Sequence, residues 1–123
     1  MSVREPPFTV GIEEEYLLVD LRSGDLANDP PARLFEECGE RSGGQISPEF
    51  LRCQVEVGTR VCRDMAEARA DLVRLRGIIV EVSAGYGLAP IAASTHPFAR
   101  VTSQMRTEKE RYLALAHEMQ ATA

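Results

Sequence analysis

The stretch "FTVGIEEEYLLVD", Phe8 to Asp20, decides how the rest of the chain is read. If it is extended, Phe8, Val10, Ile12, Glu14, Tyr16 and Leu18 project one way, and Thr9, Gly11, Glu13, Glu15, Leu17 and Val19 the other. The alternation predicts a first strand over residues 8–19. The pleat also divides the glutamate run: Glu13 and Glu15 share a face about 6.5–7 Å apart, while Glu14 goes to the opposite one. A triple glutamate is most often a solvated sheet face. Here it interrupts an otherwise apolar strand and follows Gly11, and glycine inside a strand often marks close approach of a ligand or another backbone.

The pattern recurs in "FLRCQVEVGTRVC", Phe50 to Cys62, with Leu51, Cys53, Val55 and Val57 on one face and Arg52, Gln54 and Glu56 on the other. If this second strand lies beside the first with polar faces aligned, Glu56 brings a third carboxylate to Glu13 and Glu15. Three packed carboxylates repel and require protons, disorder or a cation. Hard oxygen donors of this kind suit Mg²⁺ or Mn²⁺, above all where substrate phosphates complete the coordination.

Between these strands "DLRSGDLAND" reads as a turn with Ser23-Gly24-Asp25 as its tight point, "PPARLFEEC" as a short helix opened by Pro30 and Pro31, and "RSGGQISPEF" as loop. From Asp64 the period changes. Met65, Ala68, Leu72, Leu75, Ile79, Val82 and Tyr86 form one helical stripe, Asp64 and Glu67 have capping-box spacing, and Gly85 and Gly87 are stop signals, predicting a helix from about Met65 to Ala84. Gly77 within it suggests that another element passes close. "GLAPIAAST" reads as a short buried strand, "THPF" as a turn, and "RTEKERYLALAHEMQ" as a last helix with Tyr112, Leu115 and Met119 on one face. The order β, β, long α, β, α suits one α+β domain over residues 1–123 with helices covering one face of a sheet. A helix still running at Ala123 is the pattern of a portion of a longer unit.

Apolar residues at 44% and charged residues at 27% are the mix of a globular domain, with no disordered or membrane composition. A net charge of -5 argues against a general nucleic-acid binder, which needs a basic face. The N-terminus "MSVREPPFTV" has no apolar core of signal-peptide length, and no run approaches the roughly 18 apolar residues of a membrane span, so a cytoplasmic location is expected. Cys38, Cys53 and Cys62 form no CxxC pair and are read as buried or inert thiols.

"VGIEEEYLLVD", "SPEFLRCQVEVGTRVC" and "GLAPIAASTHPFA", in this order with a long helix between the last two, resemble the N-terminal part of the glutamate-cysteine ligase type 2 family, also called the carboxylate-amine ligases. The resemblance runs from about Thr9 to Ala121. It implies a glutamine-synthetase-like fold in which an antiparallel sheet forms a cupped site with helices outside. It also implies an ATP-dependent ligase of the kind used in glutathione biosynthesis: ATP phosphorylates the γ-carboxylate of glutamate or a similar acid, and the amine of cysteine or another amine attacks the acyl phosphate. Carboxylate and triphosphate are both anionic, so Mg²⁺ or Mn²⁺ must bring them together.

Residue by residue, the family's Glu-x-Glu on the first strand matches Glu13 and Glu15, and the glutamate of the second motif matches Glu56, all as metal ligands. An acidic position seven residues earlier matches Glu49, which alternation along one strand would put on the opposite face from Glu56 unless a bulge or loop intervenes. His96 in "STHPF" and Arg52 are candidates for substrate or nucleotide binding; a turn-capping histidine and an arginine paired with the glutamates explain them equally well. Ser94 stands where members often have Gly. Cys53 reads as core and His117 as surface. The family's His-x-His strand, expected after Met119-Gln120, is not in these residues, so the chain is expected to be an incomplete portion of the catalytic domain and inactive alone. The rival reading is a non-catalytic binding or assembly module on the same scaffold. No nucleic-acid or membrane partner is expected, and a homo-oligomer stays open.

Overall fold

The computed structural model describes residues 4–120. Its strands are β1 (Glu13–Asp20), β2 (Ile46–Pro48), β3 (Gln54–Gly58) and β4 (Leu88–Ile91). The helices are α1 (Ala32–Ser42), α2 (Met65–Gly85) and α3 (Glu110–Gln120), with a short 3-10 turn at Val101–Ser103. The strands make one open sheet in the order β2-β3-β1-β4, antiparallel at every pairing. The fold is α+β, as the order of elements predicts. Among the described residues no helix is long and apolar enough to cross a membrane.

One sheet face carries the main core. Tyr16, Leu18, Ile46, Val55, Val57 and Leu88 pack against Leu34 and Cys38 of α1 and Leu72, Leu75, Ile78, Ile79 and Val82 of α2. Each fully buried aliphatic side chain stabilises the fold by about 1.5–3 kcal/mol relative to exposure. On the opposite face a smaller cluster gathers Leu17, Leu26 and Cys53, with Leu51, Ile91 and Ala99 against it. All three cysteines are free and buried, as expected.

Both predicted strand starts move. The β1 ladder begins at Glu13, opposite Gly58 where β3 ends, and residues 8–12 attach instead through a bridge between Val10 and Cys62 and a hydrogen bond from the Thr59 amide to the Ile12 carbonyl (2.9 Å). The segment read as loop contains β2, which forms a hairpin with β3: Gly43 and Gly44 take φ of 67° and 87°, the left-handed region open to glycine, and turn the chain out of α1 into that strand. The predicted second strand loses Leu51–Cys53 to a turn, closed by the Gln54 amide on the Leu51 carbonyl (3.0 Å). That turn breaks the alternation. Cys53 therefore reaches the Leu17 cluster rather than Val55 and Val57.

The long helix keeps the expected N-cap, the Asp64 carboxylate accepting from the Glu67 amide at 2.9 Å. The returning bond of the capping box is displaced by one residue, since the Glu67 carboxylate accepts from the Arg63 amide (2.8 Å). Of the predicted stripe, Met65 is exposed in the first turn, whereas Ile78, Asp71 and Ser83 join the buried set. A methyl group at Gly77 would touch nothing within 4 Å, so no close neighbour accounts for that glycine. Gly11 likewise stands in open space. β4 is a half-buried edge strand rather than a buried one. On α3 the buried ridge is Tyr112 and Ala116, with Leu115 and Met119 exposed, and Tyr112 packs edge-on against Phe50.

Asp71 ties α2 to the sheet. Its carboxylate accepts from the Gln45 side-chain amide (2.9 Å), the Arg60 backbone amide (2.9 Å) and the Arg74 guanidinium (2.8 and 3.0 Å). Burial opposes its charge, but these donors outweigh burial and hold its pKa well below the usual carboxylate range. Because the folded value lies below the unfolded one, this contribution is complete above about pH 4 and is lost as pH falls toward the folded value. Asp71→Asn is expected to lose about 2 kcal/mol in urea unfolding at pH 7. The gap from the parent protein should narrow as the pH approaches 3, and equal midpoints at pH 7 would refute the role.

Candidate functional site

The β1–β3 register sets Glu15 directly opposite Glu56 and Glu13 opposite Gly58. Directly opposed residues have Cβ atoms about 4.5–5.5 Å apart, so Glu15 and Glu56 are like charges side by side on the face away from α1 and α2. On the far side of β3, Ser47 is paired with Glu56. Glu49, two residues beyond Ser47, continues the ladder through its amide to the Gln54 carbonyl (3.4 Å) and so falls on the same face. The Leu51–Cys53 turn is thus what carries Glu49 to Glu56 despite the seven-residue spacing. Glu13, Glu15, Glu49 and Glu56 share one sheet face, and Glu14 is on the other.

Glu14 shows what a partnered carboxylate looks like here. Arg76 of α2 grips it from Nη2 and Nε, the latter at 2.9 Å, and the Tyr16 hydroxyl donates to it. The Arg76 bonds chiefly, then that of Tyr16, hold its pKa below the ordinary value against burial.

Glu49 and Glu56 are close enough to share a hydrogen bond, and they divide the proton unequally. Burial would raise Glu49, but hydrogen bonds from Glu56, from the Tyr112 hydroxyl (2.9 Å) and from the Phe50 amide (3.0 Å), with the charge of Arg111, bring it below the usual range. Glu56 is pushed up to about 7 by the Glu49 carboxylate it bonds to, by burial, and by the charges of Glu49, Glu13 and Glu15. The Gln54 side chain completes the group: its carbonyl accepts from the Leu51 amide (2.8 Å) while its NH₂ donates to Glu15 Oε1 (2.8 Å).

Among the described residues no group of three or more His, Cys, Asp or Glu is placed to hold a metal ion. The donor set nevertheless fits a hard divalent cation. It consists of carboxylate oxygens alone, and the Glu49 carboxylate, burial and the neighbouring charges push Glu56 up to about 7. Mg²⁺ characteristically takes one or two protein carboxylates and completes its octahedron with phosphate oxygens and water. A cleft of about 610 Å³ opens around the Glu14–Arg76 pair, on the other face, and is lined by Glu14, Glu15, Tyr16, Arg76, Pro90 and Ser94, among others.

Two expected residues are elsewhere. Arg52 sits in the Leu51–Cys53 turn and points away from Glu56, bonded to Asp29 (2.8 Å), Glu108 (3.3 Å) and the Arg106 carbonyl (3.1 Å). His96 caps a turn: its Nδ1 accepts from the Phe98 amide (3.4 Å) and its Nε2 then donates to the Gly24 carbonyl (2.8 Å). His117 is exposed, as expected. Gln54 was readable on the face of Glu56 from alternation, but its link to Glu15 was not. Tyr112 was readable as buried, and a buried tyrosine hydroxyl ordinarily finds a partner. Nothing in the sequence named Glu49 as that partner, across more than sixty residues.

The model of Glutamate-cysteine ligase family 2 (GCS2) matches residues 9–122. Among curated relatives, the Rhodospirillum rubrum protein named "Putative glutamate--cysteine ligase 2" is 55% identical over 123 residues, covering 97% of this chain and 32% of the relative. Proteins of the same name from a Jannaschia species and from Paracoccus denitrificans are 53% and 50% identical, covering 91% and 97% of this chain and 29% and 31% of their own lengths. The chain spans about a third of the length of these relatives.

Carboxyl-detected NMR of the metal-free protein checks the electrostatics. The Glu56 carboxyl should titrate near 7, and Glu49→Gln should return it toward the ordinary glutamate value. A raised folded pKa means that this group favours folding at low pH and loses that effect as pH rises through about 7. An ordinary Glu56 titration in the parent protein would contradict the arrangement.

Proposed function

The chain belongs to glutamate-cysteine ligase family 2, and from that membership we propose that it supplies the carboxylate wall of an ATP-dependent carboxylate-amine ligase. In the proposed reaction the γ-carboxylate of glutamate, or of a similar acid, takes the terminal phosphoryl group of ATP, and the amine of cysteine or another amine displaces phosphate from the acyl phosphate. The observation that carries this reading is the opposition of Glu15 and Glu56, with Glu49 continuing the ladder on the same face, the one away from α1 and α2.

Glu13, Glu15, Glu49 and Glu56 would hold Mg²⁺ or Mn²⁺. A bound divalent cation supplies charge neutralisation between two anionic substrates and on the transferring phosphoryl group. The Gln54 NH₂, fixed by its other end on the Leu51 amide, aims one oxygen of Glu15. Arg52 and His96 enter a substrate-binding role only by exchanging the partners they now have. A cytoplasmic setting, where ATP is present and cysteine stays reduced, goes with this reading. Activity is proposed for the full-length protein rather than for these residues alone, since the relatives are about three times as long.

The test is ligase turnover of the full-length protein with ATP, glutamate, cysteine and Mg²⁺. Glu15→Gln and Glu56→Gln are each expected to lower turnover by about 10²-fold or more, the scale of removing one preorganised electrostatic contact to the reacting group. Glu14→Gln, whose carboxylate bonds Arg76 and Tyr16 on the other face, should stay within about twofold, because a partly exposed ion pair contributes little. Unchanged turnover in both Glu15→Gln and Glu56→Gln would overturn the assignment.

A further inference from the structure

The turn that carries Glu49 is clasped from outside by the segment leading into α3. The Arg52 amide donates to the Met105 carbonyl (2.7 Å), the Thr107 amide to the Phe50 carbonyl (2.9 Å), the Thr107 hydroxyl to the Glu49 carbonyl, and the Lys109 ammonium to the Pro48 carbonyl (3.1 Å). These bonds fix the first turn of α3 against residues 48–52. They bring the buried Tyr112 ring edge-on to Phe50, with centroids 5.5 Å apart. The Tyr112 hydroxyl then accepts from Arg111 Nη2 (2.9 Å) and donates to Glu49 Oε1 (2.9 Å).

From this geometry we infer that Tyr112 is a positioning residue for the cation site, holding the Glu49 carboxylate in the orientation in which it faces Glu56. The Tyr112 hydroxyl and the Phe50 amide converge on the same oxygen, Oε1. Two donors on one oxygen fix the plane of the carboxylate and leave Oε2 to serve Glu56 or a cation. Partners behind a metal-binding carboxylate matter in this way generally: they orient the ligand, and their loss weakens metal binding without removing a ligand. Thr107 and Lys109 act on the backbone beneath Glu49, so among them Tyr112 is the side chain that touches its carboxylate.

The inference rests on the proposed cation-binding role of Glu49, and the test separates the two. Mn²⁺ alone is titrated into the full-length protein, and free Mn²⁺ is read by electron paramagnetic resonance, with no turnover involved. Tyr112→Phe, which keeps the ring and its contact with Phe50, should weaken Mn²⁺ binding by about 10-fold or more, while its unfolding midpoint stays near that of the parent. In a Glu49→Gln background the same substitution should cause no further loss. Parent-like affinity in Tyr112→Phe, with Glu49→Gln weakened, would overturn the positioning role and leave the site reading intact. Fully additive losses in the double variant would overturn it as well, since Tyr112 would then act through packing. Parent-like affinity in Glu49→Gln would overturn both.

Discussion

The structure turns on two glutamates, Glu15 and Glu56, held directly opposite each other across the β1–β3 ladder. Like charges in that position repel, and on their own face only a small cluster around Leu17 and the Gln54 bond to Glu15 oppose that. What compels them to stay is the other side of the sheet. The register that opposes Glu15 and Glu56 also sets Tyr16 against Val55 and Glu14 against Val57; Tyr16, Val55 and Val57 pack on α1 and α2, and Glu14 pairs with Arg76 of α2. A one-residue slip would turn the buried set outward and the carboxylates into the core. Apolar burial behind the sheet therefore holds an electrostatically unfavourable arrangement in front of it.

Two groups of carboxylates stand in contrast. Asp71 and Glu14 are surrounded by donors, and their charge is stabilised on the spot: Gln45, Arg60 and Arg74 serve Asp71, and Arg76 serves Glu14. Both lie on the helix side of the sheet and hold elements together. Glu13, Glu15, Glu49 and Glu56 face the other way, and their proximity and burial favour the protonated form of Glu56, pushed up to about 7. Such a proton is what a divalent cation would displace. The position of each glutamate relative to the pleat thus separates structural charge from charge proposed to serve the reaction.

Much of this was legible in the residues. Period two alone divided Glu13 and Glu15 from Glu14 and put Gln54 with Glu56, and the Asp64 cap announced α2 to within a residue of its end. The hairpin of β2 and β3 was not legible, because three strand residues between a double glycine and a turn give too short a pattern to separate from loop. Missing it displaced Arg52 and Cys53, whose directions follow the Leu51–Cys53 turn rather than strand alternation, and left Glu49 on the wrong face unless a loop intervened. The Tyr112 contact lay further out of reach, since it depends on the Met105–Thr107 segment meeting the Phe50–Arg52 backbone, a pairing no local periodicity encodes.

Paramagnetic broadening by Mn²⁺ in protein labelled at the glutamate carboxyl carbons tests the shared cation site most directly, because it reports distance from the ion without requiring turnover. At substoichiometric Mn²⁺ the carboxyl signals of Glu13, Glu15, Glu49 and Glu56 should broaden together while that of Glu14, across the sheet, stays sharp. Broadening of Glu14 to the same degree, or of none of the four, would contradict a cation held on that face.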